Sequence, residues 1–296
     1  MARFGSVLTA MVTPFDDDGR LDLGGAAILA RWLADHGNDG LVVAGTTGEG
    51  ATLTDQEKLD LWRAVSEAVT IPVIAGTGTN DTRHTVELTR QATDVGADAV
   101  LVVTPYYNRP SQAGLEAHFA AAAAATDLPM LIYDIPIRTG RKVAHEVLVR
   151  LSHDVSNIVG VKDAALDVSA SARLIAGAAP GFEDYSGNDD QTLPLLAIGA
   201  VGVIGVCTHW SAPEMSDMIA AFGKGDVVGA REVNARLLPS YTFETSDAAP
   251  NPVPTKCAMR VLGLPAGPCR PPMGPEPDGL ERQARDVLAG LGKEPV

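Results

Sequence analysis

The chain has 296 residues, 46% of them hydrophobic, and a mean hydropathy of +0.08, so it can bury a large core in one barrel-sized domain or in two domains. Its formal net charge of −14 and its pI near 4.8 argue against nucleic acid or an anionic membrane surface as a partner. No apolar run approaches the ~20 residues that a membrane span needs.

The cysteines and the N-terminal residues predict a cytoplasmic protein. The three cysteines are odd in number and widely spaced, which is typical of reduced thiols. The acidic cluster Asp16–Asp18 comes too soon after Met1 for the apolar core of a signal peptide. The six histidines show no ligand spacing on one element, so the sequence predicts no metal centre.

Short apolar runs alternate with segments of helical apolar spacing as far as residue 222. The runs predict strands at Val7–Val12, Leu41–Ala44, Val73–Ala75, Ala99–Val103, Met130–Tyr133, Ile158–Val161, Phe182–Tyr185 and Val201–Ile204. The intervening segments predict helices at Leu21–His36, Thr54–Val69, Thr82–Val95, Gln112–Ala125, Val143–Leu151, Val168–Ala176, Asp189–Ile198 and Ala212–Phe222. Thr54 and Glu57 have the spacing of a capping box, and glycines 37, 96 and 199 have the position of C′ residues.

Eight strand-and-helix units predict an α/β fold, a (β/α)₈ TIM barrel. The competing doubly wound sheet would place a glycine-rich phosphate turn after the first strand, and Val7–Pro14 contains none. After residue 222 the strands stop, while helical spacing continues at Val227–Tyr241, Thr255–Leu262 and Gly279–Leu291. We therefore predict a catalytic barrel of residues 1–224 and an appended C-terminal helical region of residues 225–296.

Lys162 follows the apolar run Ile158–Val161, an unusual place for a lysine because burying an unpartnered ammonium is costly. Burial lowers the pKa of an amine below its usual ~10.4, and a neutral lysine can form a Schiff base with a carbonyl substrate. A lysine whose head reaches solvent at the strand end is the structural alternative. Among the six lysines, only Lys162 ends a core strand.

Three further strand ends carry polar motifs, at the edge where barrels of this type place their active sites. Gly45–Gly50 offers hydroxyls and backbone amides for a carboxylate, Thr104–Pro110 holds adjacent tyrosines, and Tyr133–Gly140 adds a phenol and Arg138. Taken singly, each motif could be a glycine-rich turn, aromatic packing or a surface arginine. Together with Lys162 they predict Schiff-base chemistry on a 2-oxo acid.

Four motifs, in order, resemble the dihydrodipicolinate synthase (4-hydroxy-tetrahydrodipicolinate synthase) family: Gly45-Thr-Thr-Gly-Glu, Thr104-Pro-Tyr-Tyr-Asn-Arg-Pro, Tyr133-x-x-Pro-x-Arg-Thr-Gly and Gly160-Val-Lys-Asp-Ala. The resemblance extends to Ser186-Gly-Asn-Asp and Asn251-Pro-x-Pro-x-Lys. It implies a lyase that condenses pyruvate with L-aspartate 4-semialdehyde at the entry to lysine biosynthesis. It also implies no cofactor beyond the covalent imine, and a homotetramer built from tight dimers.

The resemblance assigns four catalytic positions. Lys162 would carry the pyruvate imine, and Tyr133 would shuttle protons. Thr46 and Tyr107 would form a hydroxyl relay to solvent, with Tyr107 reaching in from the neighbouring subunit.

The resemblance also assigns four substrate-binding positions. Thr47 would hold the carboxylate of pyruvate, and Arg138 would hold the carboxyl group of aspartate semialdehyde. Ile204 would place its carbonyl near the amine, and Gly187 belongs to the same substrate site.

The chain departs from the family pattern at three positions. Gly50 stands where serine is usual, Ile137 replaces a small residue beside Arg138, and Asp134 replaces a common asparagine. Two other functions remain open. A sister pyruvate lyase would act on N-acetylneuraminate or a 2-keto-3-deoxy sugar acid, but such enzymes generally lack the Arg-Thr-Gly arrangement. A catalytically silent 2-oxo-acid-binding protein would be expected to have lost Lys162, Tyr133 or Thr46.

Feedback inhibition by lysine is not expected. Inhibited relatives bind lysine at the tight-dimer interface, and the resemblance places Ala51, Asp55, Lys58, Asn80, His84 and Tyr106 there. His84 stands where a glutamate commonly meets the amino group of the ligand, and Lys58 adds a positive charge in place of a common histidine. An ammonium ligand would therefore be repelled, with Asp55 as the compensating acid.

Overall fold

The computed structural model describes residues 2–295. Eight parallel strands pair in chain order, and β8 pairs with β1 to close the barrel. The strands are β1 Val7–Ala10, β2 Gly40–Val43, β3 Val73–Gly76, β4 Ala99–Val103, β5 Met130–Asp134, β6 Ile158–Asp163, β7 Glu183–Ser186 and β8 Gly202–Gly205. The predicted TIM barrel is confirmed.

Helices follow the strands and form the outer layer of the barrel. They are α1 Leu23–Asp35, α2 Asp55–Ala68, α3 Thr82–Asp94, α4 Gln112–Ala123, α5 Pro136–Thr139, α6 His145–Asp154, α7 Val168–Gly177, α8 Thr192–Leu196 and α9 Thr208–Gly223. The C-terminal helices are α10 Val227–Phe243, α11 Val253–Val261 and α12 Leu280–Gly290. Within residues 2–295, no helix is both long and apolar enough to cross a membrane.

Side chains of the strands alternate between the barrel interior and the layer of helices, as the two-residue period of a strand requires. The interior group includes Leu8, Ile74, Leu101, Leu131, Tyr133, Tyr185 and Ile204. The outward group, which packs against the helices, includes Val7, Val43, Val73, Val102, Val161 and Val203. The interior is therefore a filled core, and functional groups collect at the mouth where the strands end.

The amino-terminal end of the barrel is closed by its own polar and aromatic groups. The hydroxyl of Tyr185 donates to Glu183 Oε2 at 2.9 Å, and the backbone N–H of Arg3 donates to Glu183 Oε1 at 2.6 Å. Phe4 joins the same interior cluster. This end holds the structure together and leaves the opposite end for ligands.

The predicted helix signals are confirmed locally. Thr54 accepts the N–H of Glu57, and the Glu57 carboxylate accepts the N–H of Thr54 in return, so the capping box satisfies two backbone donors of α2. Gly37, Gly96 and Gly199 have φ values of 91°, 88° and 112°, the left-handed region in which a side chain would be strained.

Two predicted helices were wrong in detail. Residues 189–198 form a 3₁₀ turn at Asp189–Gln191 and the short helix α8, because the buried carboxylate of Asp189 accepts the N–H of Val206 across the barrel mouth. Helix α9 begins at Thr208, four residues before the predicted start at Ala212. The backbone is non-helical at Ser211, so the segment consists of two helices that meet at a kink, and Pro213 lies in the first turn of the second one, where a proline is tolerated.

Candidate active site

Lys162 lies in β6 at the carboxyl end of the barrel, and its side chain is 4% exposed. Its Nζ is 4.6 Å from the centroid of the Tyr133 ring on the adjacent strand. Burial lowers the pKa of the Lys162 amine to about 8, although the acidic side chains of Asp189 and Glu244 act in the opposite direction. A large fraction of the amine is therefore a neutral nucleophile near pH 8.

Tyr133 ends β5 beside this amine and is buried. Burial raises the pKa of Tyr133 to about 12, while the nearby positive charge of Arg138 and a hydrogen bond with the Thr46 side chain lower it. The phenol is therefore a neutral hydroxyl that can both donate and accept a proton. The structure thus brings Lys162, Tyr133 and Thr46 together within one chain.

The loop after β2 supplies Thr46 and Thr47, and a residue of the C-terminal region holds it in place. The side-chain amide of Asn251 donates to Thr47 Oγ1 at 2.9 Å, in a buried contact. The loop is tight: a Cβ on Gly50 would lie 2.1 Å from the carbonyl oxygen of Ala44. The departure from serine at Gly50 therefore fits this backbone, which leaves no room for a side chain.

Glu49 fixes the same loop through a fully buried ion pair that the sequence reasoning missed. Its Oε1 lies 2.6 Å from Lys256 Nζ in α11, and its Oε2 accepts the N–H of Arg270 at 2.8 Å. Lys256 Nζ also donates to the carbonyl of Pro268 at 2.8 Å. Removing one partner of such a pair leaves an uncompensated charge and typically costs about 3–5 kcal/mol. The C-terminal region therefore stabilises the loop that carries Thr46 and Thr47.

Arg138 lies in the short helix α5, and its side chain is exposed at the mouth. Its positive charge lowers the pKa of both Tyr133 and Lys162, which places it near both groups. Gly140 ends the helix with φ 71°, the left-handed conformation of a C′ glycine. Ile137 is 81% exposed and leaves the guanidinium open to a ligand carboxylate.

Tyr107 is the one predicted catalytic residue that a single chain does not bring to the site. Its side chain is 89% exposed, and its backbone has φ 70°, a conformation that costs a tyrosine about 1–3 kcal/mol. Thr104 in the same segment is fully buried and donates to the carbonyl of Tyr133 at 3.0 Å. The buried Thr104 therefore fixes a segment in which Tyr107 has a strained backbone and projects its side chain into solvent.

Gly187 and Ile204 complete the mouth at β7 and β8. The N–H of Gly187 donates to the carbonyl of Asp163 at 2.6 Å, and an added Cβ would lie 2.9 Å from that of Ala164. Only glycine fits so close to Asp163 and Ala164. Ile204 is fully buried in register with Leu8 of β1.

Asp134 does not enter the site, although it directly follows Tyr133. Its side chain faces the outer layer, where Oδ1 accepts the N–H of Val143 at 3.2 Å. Burial raises the pKa of Asp134 to about 7. The replacement of asparagine by Asp134 therefore affects the interface between the barrel and its helices and does not alter the residues at the mouth.

Two further acids at the mouth were not among the predicted site residues. Asp189 and Glu244 lie close enough to Lys162 for this acidic pair to raise the pKa of its amine. Asp189 was visible as a polar residue after a strand. Glu244 lies at the end of α10, where no sequence pattern distinguishes it from a surface residue.

Comparison with known proteins agrees with this geometry. Residues 3–289 match the model of the dihydrodipicolinate synthetase family. The 4-hydroxy-tetrahydrodipicolinate synthase of Acidothermus cellulolyticus is 54% identical over 295 residues, which cover 98% of this chain and 94% of the relative.

Solved structures agree as well. The structure of DHDPS from Cyanidioschyzon merolae with lysine bound has a TM-score of 0.96 at 41% identity and covers 99% of both chains. The chloride-inhibited dihydrodipicolinate synthase from Acinetobacter baumannii complexed with pyruvate has a TM-score of 0.92 at 35% identity, and covers 98% of this chain and 99% of that one. With a barrel of this topology and a buried lysine at its mouth, the chain belongs to the dihydrodipicolinate synthetase family.

Proposed function

We propose that the chain is a Schiff-base lyase that condenses pyruvate with L-aspartate 4-semialdehyde, the 4-hydroxy-tetrahydrodipicolinate synthase reaction. The observation that carries the proposal is the buried amine of Lys162, with its pKa lowered to about 8, beside the phenol of Tyr133. The name of the relative from A. cellulolyticus and the pyruvate in the structure from A. baumannii support the same reaction.

The steps follow from the chemistry of these side chains. The neutral amine of Lys162 adds to the keto carbon of pyruvate, the resulting carbinolamine takes up a proton, and loss of water then leaves an iminium ion. The methyl group of the iminium loses a proton, which Tyr133 accepts and passes on through Thr46, and an enamine forms. The enamine carbon attacks the aldehyde of the second substrate. The protein needs no cofactor for these steps, because the iminium itself is the electron sink.

Two carboxylates have to be held apart during the reaction. Thr47, whose hydroxyl is oriented by Asn251, would hold the carboxylate of pyruvate near Lys162. Arg138, exposed at the rim, would hold the carboxylate of the semialdehyde by a bidentate contact. Gly187 and the carbonyl of Ile204 would line the space between them.

The proposal extends to a second copy of the chain through Tyr107. A tyrosine that is 89% exposed with a strained backbone is well placed to contact a second copy of the chain. We infer that it completes the hydroxyl relay of Thr46 and Tyr133 in a neighbouring subunit, within a tight dimer of a cytoplasmic homotetramer.

A coupled assay tests the function directly. Purified protein with pyruvate and aspartate semialdehyde should form a product that a dihydrodipicolinate reductase can reduce, with consumption of NADPH. Parallel reactions in the cleavage direction would supply N-acetylneuraminate or a 2-keto-3-deoxy sugar acid. Turnover only with the sugar acids would replace the proposal with a sister lyase, and no turnover with any of them would favour a silent binding protein.

We predict little or no inhibition by L-lysine at millimolar concentrations. The nearest compensating acid, Asp55, is already engaged, because both of its carboxylate oxygens lie within 3.0 Å of His84 Nε2. Lys58 is buried nearby, and burial lowers the pKa of its amine. An ammonium ligand would meet the imidazole of His84, the amine of Lys58 and an acid that is already paired.

Initial rates and calorimetry with L-lysine check this prediction. The variant His84→Glu should acquire lysine binding, because it frees Asp55 and adds a second acid. Half-maximal inhibition of the unaltered protein well below one millimolar would show that Asp55 leaves His84 to pair with the ligand.

A further inference from the structure

Two carboxyl groups, one buried and one half-buried, lie at the same end of the barrel as Lys162, and the steps above do not use them. Asp189, in the turn after β7, is 1% exposed. Its Oδ2 accepts the N–H of Val206 at 2.9 Å, and its Oδ1 accepts the thiol of Cys207 at 3.0 Å. The second group is Glu244, which directly follows α10 and so belongs to the C-terminal helical part of the chain.

The two carboxyl groups lie close together and flank Cys207. Glu244 Oε2 also accepts the N–H of Cys207 at 3.2 Å, and one side-chain atom of each of the three residues lies within 4.8 Å of the others. Partial burial and the nearby negative charge of Asp189 raise the pKa of the Glu244 carboxyl well above its usual range, so at this separation the pair holds one proton. Asp189 accepts a backbone N–H and a thiol and keeps the negative charge, while Glu244 holds the proton.

The position of the pair connects it to the reacting amine. Asp189 presses against β8, where a Cβ on Gly205 would lie 2.5 Å from Asp189 Oδ1. Lys162 lies at the same end of the barrel, next to Tyr185 of β7. Burial lowers the pKa of the Lys162 amine, whereas Asp189 raises it. The negative charge of Asp189 therefore offsets part of the cost of burying the ammonium form of Lys162.

We propose that Asp189 and Glu244 form a shared-proton pair whose single negative charge stabilises the cationic forms of Lys162, first the ammonium and then the iminium. The inference rests on the proposed imine chemistry and makes both acids positioning residues for charge. A protonated iminium withdraws electrons from the pyruvate methyl group more strongly than a neutral imine. Desolvation supplies the neutral amine that attacks, and the acid pair keeps the resulting imine protonated.

The other ionisable groups around the pair do not titrate in place of the amine. Burial raises the pKa of Cys207 and of Tyr241, so both remain neutral. Asp190 acts on Glu244 with a negative charge from the exposed surface, and Arg138 acts on Lys162 with a positive one. The low-pH side of the pH profile of imine formation, which we call the acid limb, should therefore report the pKa of the Lys162 amine as Asp189 shifts it.

Borohydride trapping with pyruvate across a pH series, read by intact mass, tests the proposal. Glu244→Gln keeps a neutral hydrogen-bond donor and the charge of Asp189, so the acid limb should stay within about 0.3 pH unit. Asp189→Asn combined with Glu244→Gln removes that charge and should move the limb about one pH unit lower, because the ammonium loses its stabilising partner. The exposed neighbour gives the matched control, Asp190→Asn, which should leave the limb in place.

The outcomes separate this inference from the proposed function. If the unaltered protein traps no pyruvate at any pH, the imine proposal fails. If it traps pyruvate and the double variant has an unchanged limb, the charge coupling is wrong. Should the double variant not fold, infrared spectra of the unaltered protein and Glu244→Gln decide. A protonated-carboxyl band at neutral pH that Glu244→Gln weakens supports the pair, and a band that Glu244→Gln leaves unchanged overturns it.

Discussion

Replacing Lys162 with arginine should abolish imine formation and lower turnover by roughly 10³-fold or more, the scale on which a covalent nucleophile contributes. A guanidinium keeps the positive charge but does not lose its proton in the pH range of the enzyme. Borohydride reduction with pyruvate should add one pyruvyl unit per chain of the unaltered protein, and a peptide map should place it at Lys162. The variant should show no adduct.

Lys142→Arg is the matched control, because Lys142 also lies near the mouth but its Nζ pairs with Asp167 at 2.6 Å. It should form the adduct as the unaltered protein does. An adduct at Lys142 or Lys256, or none at all, would end the Schiff-base proposal for Lys162. The trapped fraction should also rise as the pH increases towards 8, where the amine of Lys162 loses its proton.

The sequence predicted the fold and the buried position of Lys162 at a strand end because both depend on local patterns. Each buried strand is a short apolar run, and a lysine at the end of one is conspicuous against that background. Helix boundaries were predicted where a cap fixes them, as at Thr54 and Glu57. They were missed at Asp189, where a tertiary hydrogen bond to Val206 overrides the helical pattern.

The missed residues share a different property: each depends on a contact between distant parts of the chain. Lys256 lies in a segment that reads as an ordinary helix, yet it is fully buried because Glu49 from the loop after β2 meets its amine. Glu244 looks like a surface residue at the end of a helix, and only the folded chain places it against Asp189. Burial of a charge cannot be read from composition when its partner is remote in sequence.

Tyr107 marks another limit of single-chain reasoning. The resemblance to the family assigns it a catalytic role, but one copy of the chain leaves its side chain 89% exposed. Its strained backbone is consistent with a function outside the chain that carries it. The proposed relay through Tyr107 therefore depends on a second copy of the chain.

Replacing Arg138 with alanine should lower kcat/KM for aspartate semialdehyde by roughly 30- to 1000-fold while leaving pyruvate trapping at Lys162 largely intact. A charged bidentate contact to a carboxylate is worth about 2–4 kcal/mol, and about 1.4 kcal/mol corresponds to a factor of ten. The kcat/KM of Arg138→Lys should lie between those of Arg138→Ala and the unaltered protein, because an ammonium supplies the charge without the planar geometry of a guanidinium. Steady-state kinetics with each substrate varied in turn, together with borohydride trapping, would measure both effects.

The split between the two readouts identifies the role of Arg138. A residue needed only for the fold would depress trapping and turnover together, whereas a residue that holds the second substrate depresses turnover alone. Arg173→Ala, an exposed arginine on α7, is the matched control and should alter neither. Full activity of Arg138→Ala with aspartate semialdehyde would mean that the second carboxylate binds elsewhere. The exposed side chain of Ile137 beside it would then indicate a pocket built for a different aldehyde.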